Sequence, residues 1–294
     1  MTNLDHNSNK RARLDNPLVL HDLVIRTICE FIQCNTTMHN LMRLNTRFYG
    51  IRDIFIGRLY LGMFKTDVVC DNKPYGWNKV YKLSVSGSTN ITDTDIALLG
   101  NIRHLKLYYC GWQITDVSAL HHVHDLSLIT LPEVCDISSL THVHTIYIQN
   151  CQQIRDLSAL SRSHTVSLYH CHGFSDVSML GNVYSLTIDE CFNVTDVSML
   201  GKVHSLELSK CLHITDVSAL GSVHSLHIYM CNHISDVSAL STVVNSLYIK
   251  SCAGVSDCST LGDIPHLKIT RCGCSYIAKN WLFPPGLREW WKYD

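Results

Sequence analysis

VHSLELSKCLHITDVSALG, residues 203–221, returns with little change every 20 residues or so from about Val123 to Val243. Self-similarity at that period marks a repeat architecture, so it governs the reading of everything else. Within the phrase, Val203, Leu206, Leu208, Cys211, Ile214, Asp216, Val217 and Leu220 recur from copy to copy. Alternation around Leu206 and Leu208 is the period of a strand with one buried face. So short a strand cannot bury that face alone, and neighbouring copies must stack upon it. Ten apolar pairs set the register: Leu83/Val85, Leu105/Leu107, Leu126/Leu128, Ile146/Ile148, Val166/Leu168, Leu186/Ile188, Leu206/Leu208, Leu226/Ile228, Leu247/Ile249 and Leu267/Ile269. At a spacing of about 4.8 Å they predict a parallel sheet roughly 45 Å long.

The phrase resembles the leucine-rich-repeat frame LxxLxLxx(N/C)xxL with a short return. That resemblance implies an α/β solenoid, a short-repeat horseshoe with a parallel sheet and a concave binding face. About eight residues remain for each return, TDVSALGS in type. These suffice for a turn or a single 3₁₀ turn but not for a regular helix and loop.

Asp116, Asp136, Asp156, Asp176, Asp196, Asp216, Asp236 and Asp257 hold one position in successive returns. Their carboxylates can cap backbone N–H groups of the turn. Recurrence in every coil argues for structure, since a catalytic group need occur only once or twice. Cys110, Cys151, Cys171, Cys191, Cys211, Cys231, Cys252 and Cys272 occupy the N/C slot, where a buried cysteine acts as a small hydrophobe with a weak donor. All 14 cysteines are expected as thiols. No paired CxxC motif occurs, and Cys272-Gly273-Cys274 is too closely spaced for zinc. His124, His144, His164, His204 and His224 share a third position, with Tyr184 filling the gap. A linear ladder of imidazoles does not by itself supply converging ligands, so neither metal nor other cofactor is expected.

Composition adds bounds. The 294-residue chain has a formal net charge of −1 and 46% apolar residues, which excludes broad nucleic-acid binding on charge grounds. No apolar run approaches the roughly 18 residues of a membrane span, and the amino-terminal residues lack the apolar core of a secretory signal. The expectation is an intracellular protein with no membrane partner. Residues 1–16 form a polar, basic tail; within it Lys10-Arg11-Ala12-Arg13-Leu14-Asp15 resembles short nuclear import signals, while an ordinary solvated tail remains the alternative.

Residues 17–62 change to helical periodicity: Leu20, Leu23, Val24, Ile28, Phe31 and Ile32 make one amphipathic stretch, and Met38, Leu41, Met42 and Leu44 a second. Ile51, Ile54, Phe55 and Leu59 make a third. LHDLVIRTICEFI (residues 20–32) and LMRLNTRFY (residues 41–49) together resemble the F-box, with His21 where that family has proline and Leu23 where it has an acidic residue. The resemblance implies a three-helix F-box-like domain in which Leu20, Val24, Ile25, Ile28, Phe31, Ile32, Leu41, Leu44 and Phe48 build the module or its face for a Skp1-like adaptor. A helical cap for the first coil is the alternative. Residues 63–78 read as a junction, 79–271 as repeats, and 272–294, with Trp281, Trp290 and Trp291, as a carboxy-terminal cap over the last strand edge.

What differs between copies carries specificity. The outward strand positions include Lys106, Tyr108, Tyr147, Tyr169, Asp189, Glu207, His227, Tyr229, Tyr248 and Lys250. Tyrosines around an acidic middle suit a protein partner with a basic feature. By resemblance the whole is the target-recognition subunit of an SCF-type (Skp1–cullin–F-box) ubiquitin ligase, non-enzymatic itself. The alternative is a leucine-rich-repeat scaffold unconnected to ubiquitin; the ITDVSAL returns also resemble the ITDISPL phrase of internalin-type adhesins.

Overall fold

The computed structural model describes residues 67–71, 79–87, 91–274 and 277–279. The F-box-like segment, the basic tail and the carboxy-terminal tryptophans lie outside the described residues. The chain divides into two compact units, Met1–Arg52 with Val68–Tyr81 and Asp53–Asp67 with Lys82–Asp294. Of the first, the described residues are Val68–Asp71 of strand β1 (Asp67–Asp71), which falls within the stretch read as a junction, and Lys79–Tyr81 at the opening of β2 (Lys79–Ser86).

The second unit is an array of coils. Strands β3 (His104–Tyr108), β4 (Asp125–Ile129), β5 (Thr145–Gln149), β6 (Thr165–Tyr169) and β7 (Ser185–Asp189) continue from β2. They are followed by β8 (Ser205–Ser209), β9 (Ser225–Tyr229), β10 (Ser246–Lys250) and β11 (His266–Thr270). Each pairs in parallel with the next, and the inward residues meet in register, as in Leu186↔Leu206↔Leu226. The ten strands read from the sequence are these, β2 to β11. The short strand β12 (Ile277–Lys279) then pairs antiparallel with β11, covering the edge that a final strand would otherwise leave open.

The core sits between the sheet and the returns. Val203, Leu206, Leu208, Cys211, Ile214, Val217 and Leu220 are each at most 1% exposed, and the equivalent residues of neighbouring coils are buried alike. Most returns are single 3₁₀ turns such as η5 (Ser198–Lys202) and η6 (Ser218–Ser222), and the one carrying Asp136 has simple turns in their place. In the eight returns from Asp116 to Asp257 the aspartate Oδ1 accepts the N–H of the serine two residues on, at 2.7–2.9 Å. The aspartate ladder is therefore structural. The first return differs, with a four-residue helix α1 (Asp93–Ile96) whose Asp93 accepts the N–H groups of Thr115 and Asp116 in the next coil.

The cysteine column is also structural. Cys231 Sγ, for example, lies 3.6 Å from the Leu208 carbonyl and 3.5 Å from that of Tyr229, so the thiol caps carbonyls of its own and the preceding coil. Burial pushes Cys151 and Cys191 up to about 12, which keeps them neutral thiols. One expectation is corrected. Cys258 and Cys274 form a disulfide, so not every cysteine is a thiol. Cys258 stands in the inward slot that valine, isoleucine or leucine fills in the other returns, and the end of the array folds Cys274 against it, with the Cα atoms 6.3 Å apart.

Immediately after each strand from β3 to β11 the chain takes a left-handed residue: Tyr109, Thr130, Asn150, His170, Glu190, Lys210, Met230, Ser251 and Arg271, all with φ between 51° and 56°. Such a φ costs an L-residue roughly 1–2 kcal/mol. It persists because the N–H there extends the ladder, as when Lys210 N–H donates to the Tyr229 carbonyl at 2.7 Å. Thr130 is the least suited, being β-branched. Replacing Thr130 with glycine should stabilise the array by about 0.5–1 kcal/mol after the entropy lost by glycine is subtracted. Asn150→Gly, at a residue that tolerates this conformation, should change the thermal midpoint less. Equal midpoints for the two variants would contradict the assignment of backbone strain.

Candidate functional site

Strand alternation puts residues one, three and five of every strand on the outward sheet face. The third-position row runs Lys106, Ser127, Tyr147, Ser167, Thr187, Glu207, His227, Tyr248 and Lys268. The fifth-position row, likewise in register, contains Tyr108, Gln149, Tyr169, Asp189, Ser209, Tyr229 and Lys250. All ten residues proposed from the sequence as partner-binding thus lie on one face. They do not form one cluster, since the strands carrying Lys106 and Lys250 stand seven strand spacings apart, about 34 Å.

The middle of the face is distinct. Around Asp189 and Glu207 the floor is built of Ser167, Thr187, Ser185, Ser205 and Ser209, all small, so the two carboxylates stand in a shallow trough. Aromatic rings wall it on both sides. On one side the Tyr147 and Tyr169 rings lie 4.9 Å apart. Tyr169 is only 4% exposed, which corrects its reading as a freely presented contact: the neighbouring Tyr147 shields it. On the other side His227 and Tyr248 meet edge to face at 5.2 Å, with Lys250 over the Tyr229 ring and Lys268 over Tyr248. Burial, helped by the Lys268 cation, pushes His227 down to about 4, so its imidazole is uncharged at neutral pH.

Asp189 has the least settled environment. Burial raises its carboxyl above the usual range, and neither the Lys210 cation nor the Ser209 hydroxyl fully offsets it. Its Oδ1 is buried without a hydrogen-bond partner. Leaving such an acceptor unsatisfied costs about 1–3 kcal/mol. The lysine that could neutralise it is engaged elsewhere, because Lys210 pairs with Glu190, whose other oxygen contacts His170 Nε2 at 2.6 Å.

That His170–Glu190–Lys210 chain belongs to the left-handed row, which borders the face and which alternation alone does not place there. Tyr109, 51% exposed and packed edge to face on Tyr108, and the neighbouring Trp112, 72% exposed, extend the same border. The only signal for this row in the sequence is its hypervariability beside the cysteine column.

At the start of each strand the ring ladder is real. His124, His144, His164, Tyr184, His204 and His224 stack with centroids 4.3–4.8 Å apart and interplanar angles of 9–20°. Among the described residues no helix is long and apolar enough to cross a membrane.

No known family profile and no curated sequence matches this chain. Solved structures do. The leucine-rich-repeat domain of the type III effector XopL is similar to it with a TM-score of 0.51 and 16% identity, covering 67% of this chain and 77% of that one. An internalin, InlF, from Listeria monocytogenes aligns with a TM-score of 0.48 and 23% identity over 66% of this chain and 67% of its own. The functional domain of InlJ from Listeria monocytogenes, described as including a cysteine ladder, aligns at a TM-score of 0.38 and 17% identity over 65% and 53%. The fold of the array is that of leucine-rich-repeat proteins.

Proposed function

We propose that this chain is a recognition protein whose outward sheet face holds a protein partner through a basic side chain seated on Asp189 and Glu207. The observation that supports this reading best is the buried, unpartnered Oδ1 of Asp189 in a trough of small residues between aromatic walls. A lysine or arginine entering the trough would satisfy that oxygen, offset the cost of burying the carboxylate and pack its aliphatic stem against tyrosine. Lys106, Tyr108, Tyr147, Tyr229, Tyr248 and Lys250 would then set the rest of the footprint by shape and charge.

The expected result comes from panning the full chain against a random peptide library. Recovered peptides share one arginine or lysine, and Asp189→Asn weakens their binding at least about thirtyfold, the lower end for truncating one partner of a buried charge pair. Asp216→Asn, in a return on the other side of the coil, leaves binding unchanged. Peptides without a shared cation, or indifference to Asp189→Asn, would remove the trough as the site.

The finer reading joins this face to ubiquitin transfer. The resemblance of residues 20–49 to the F-box supports a Skp1-like adaptor on Leu20, Val24, Ile25, Ile28, Phe31, Ile32, Leu41, Leu44 and Phe48. A target on the sheet would then be presented to a ligase, and the chain itself would perform no bond chemistry. Titrating the full chain with purified Skp1 tests this separately. If no complex forms while the far-UV spectrum is intact, the ligase role fails and a free-standing recognition scaffold remains.

A further inference from the structure

We propose that His124, Asp125 and His144 form a binding site for one zinc-class divalent cation, backed by His104. A linear ladder of imidazoles lacks convergence, and the ladder of this protein has it at one place. One ligand atom each from His124, Asp125 and His144 lies within 4.8 Å of the other two. Bonds of about 2.0–2.2 Å around a tetrahedral ion put neighbouring ligand atoms roughly 3.3 Å apart, so closure needs movements of the order of 1 Å. His144 is exposed and His124 and Asp125 are half-buried, so an ion can reach the site and the imidazoles can adjust.

The carboxylate makes the difference. Asp125 opens strand β4, and in register beside it stand His104 on β3 and Thr145 on β5. Its Oδ1 meets His124 Nδ1 at 2.6 Å, its Oδ2 contacts His104 Nδ1, and the Thr145 hydroxyl donates to it. A ligating carboxylate held this way by a second imidazole has the outer-shell support that metal sites require. His124 and His144 stack at 4.6 Å and 13°, which sets like nitrogens side by side next to that carboxylate. Two neutral imidazoles with one carboxylate suit zinc, nickel or copper rather than magnesium or calcium.

The rest of the ladder is an internal control. His204 and His224 stack at 4.3 Å and 12°, nearly the same geometry, but the position of Asp125 is taken there by Ser205 and Ser225. Stacked histidines without a carboxylate should not hold the ion.

The test uses the full chain, stripped by chelation and titrated with Zn²⁺ by calorimetry and with Co²⁺ by visible absorption. The wild type is expected to bind one equivalent that Asp125→Asn and His144→Ala each lose or bind at least about tenfold more weakly. His204→Ala is expected to bind as the wild type does. His144 is exposed, so its variant reports even if Asp125→Asn disturbs the coil. The proposal is overturned if the wild type takes up no such equivalent, if both site variants titrate like the wild type, or if His204→Ala loses as much.

Discussion

Leu206→Ala will lower the stability of the array by about 2–5 kcal/mol, the range for removing a fully buried leucine side chain. Leu206 has no exposed surface, and its register partners are Leu186 and Leu226. The loss therefore falls on three coils at once: on its own core and on both interfaces through which that coil is stabilised. In a stacked array nearest-neighbour terms carry the cooperativity, so weakening a central coil should also split the unfolding transition. Urea unfolding of the full chain followed by far-UV circular dichroism would show an earlier midpoint and a broadened or biphasic curve. The matched control is Lys202→Ala on the exposed side of η5, expected within about 0.5 kcal/mol of the parent. A loss below about 1 kcal/mol for Leu206→Ala would mean that the coils do not share a core as described.

Acid will unfold the array in two windows, the first set by histidines of the sheet and the second by the aspartates of the returns. Burial depresses His204 and His227 below the usual 6.5, so the unfolded chain takes up protons that the folded one refuses. That stability begins to fall as pH drops below about 6.5 and, for His227, continues to about 4. The second window lies lower. The serine N–H groups that cap Asp136, Asp176, Asp196, Asp216, Asp236 and Asp257 hold these carboxyls below the usual 3.8. A depressed carboxyl contributes stability that is fully present above 3.8 and lost as pH falls through the folded value. Asparagine keeps the acceptor oxygen and cannot titrate. A triple Asp176→Asn, Asp196→Asn, Asp216→Asn variant should therefore show a shallower fall of the thermal midpoint between about pH 4 and pH 2, with the histidine window unchanged. The same slope in parent and variant would show that the caps do not couple to acid unfolding.

These two outcomes concern the residues that the sequence makes plainest. Val203, Leu206, Leu208 and Cys211 recur because every coil meets the same neighbours, so periodicity reports burial directly, and the aspartates recur because every return leaves the same N–H unsatisfied. Features that occur once are harder to read. Tyr169 has an outward position and is nevertheless buried, because its exposure depends on the Tyr147 ring one strand away. The bond between Cys258 and Cys274 depends on how the last coil ends. Convergence at Asp125 depends on cross-strand register, which sets His104, 21 residues earlier, beside it. In each case the deciding neighbour is distant in the chain and lies outside the repeated pattern.

The left-handed row was also illegible, for the opposite reason. Its conformation is imposed by the coil and its hydrogen bond, whatever side chain is present; among the nine only Asn150 and, more weakly, His170 are of types that favour it. Because the coil exacts nearly the same backbone cost from tyrosine, histidine, glutamate, lysine or methionine, exchanges among them leave folding almost untouched. Chemistry along that border can thus drift without selection for stability opposing it, and a new partner can be reached one side chain at a time.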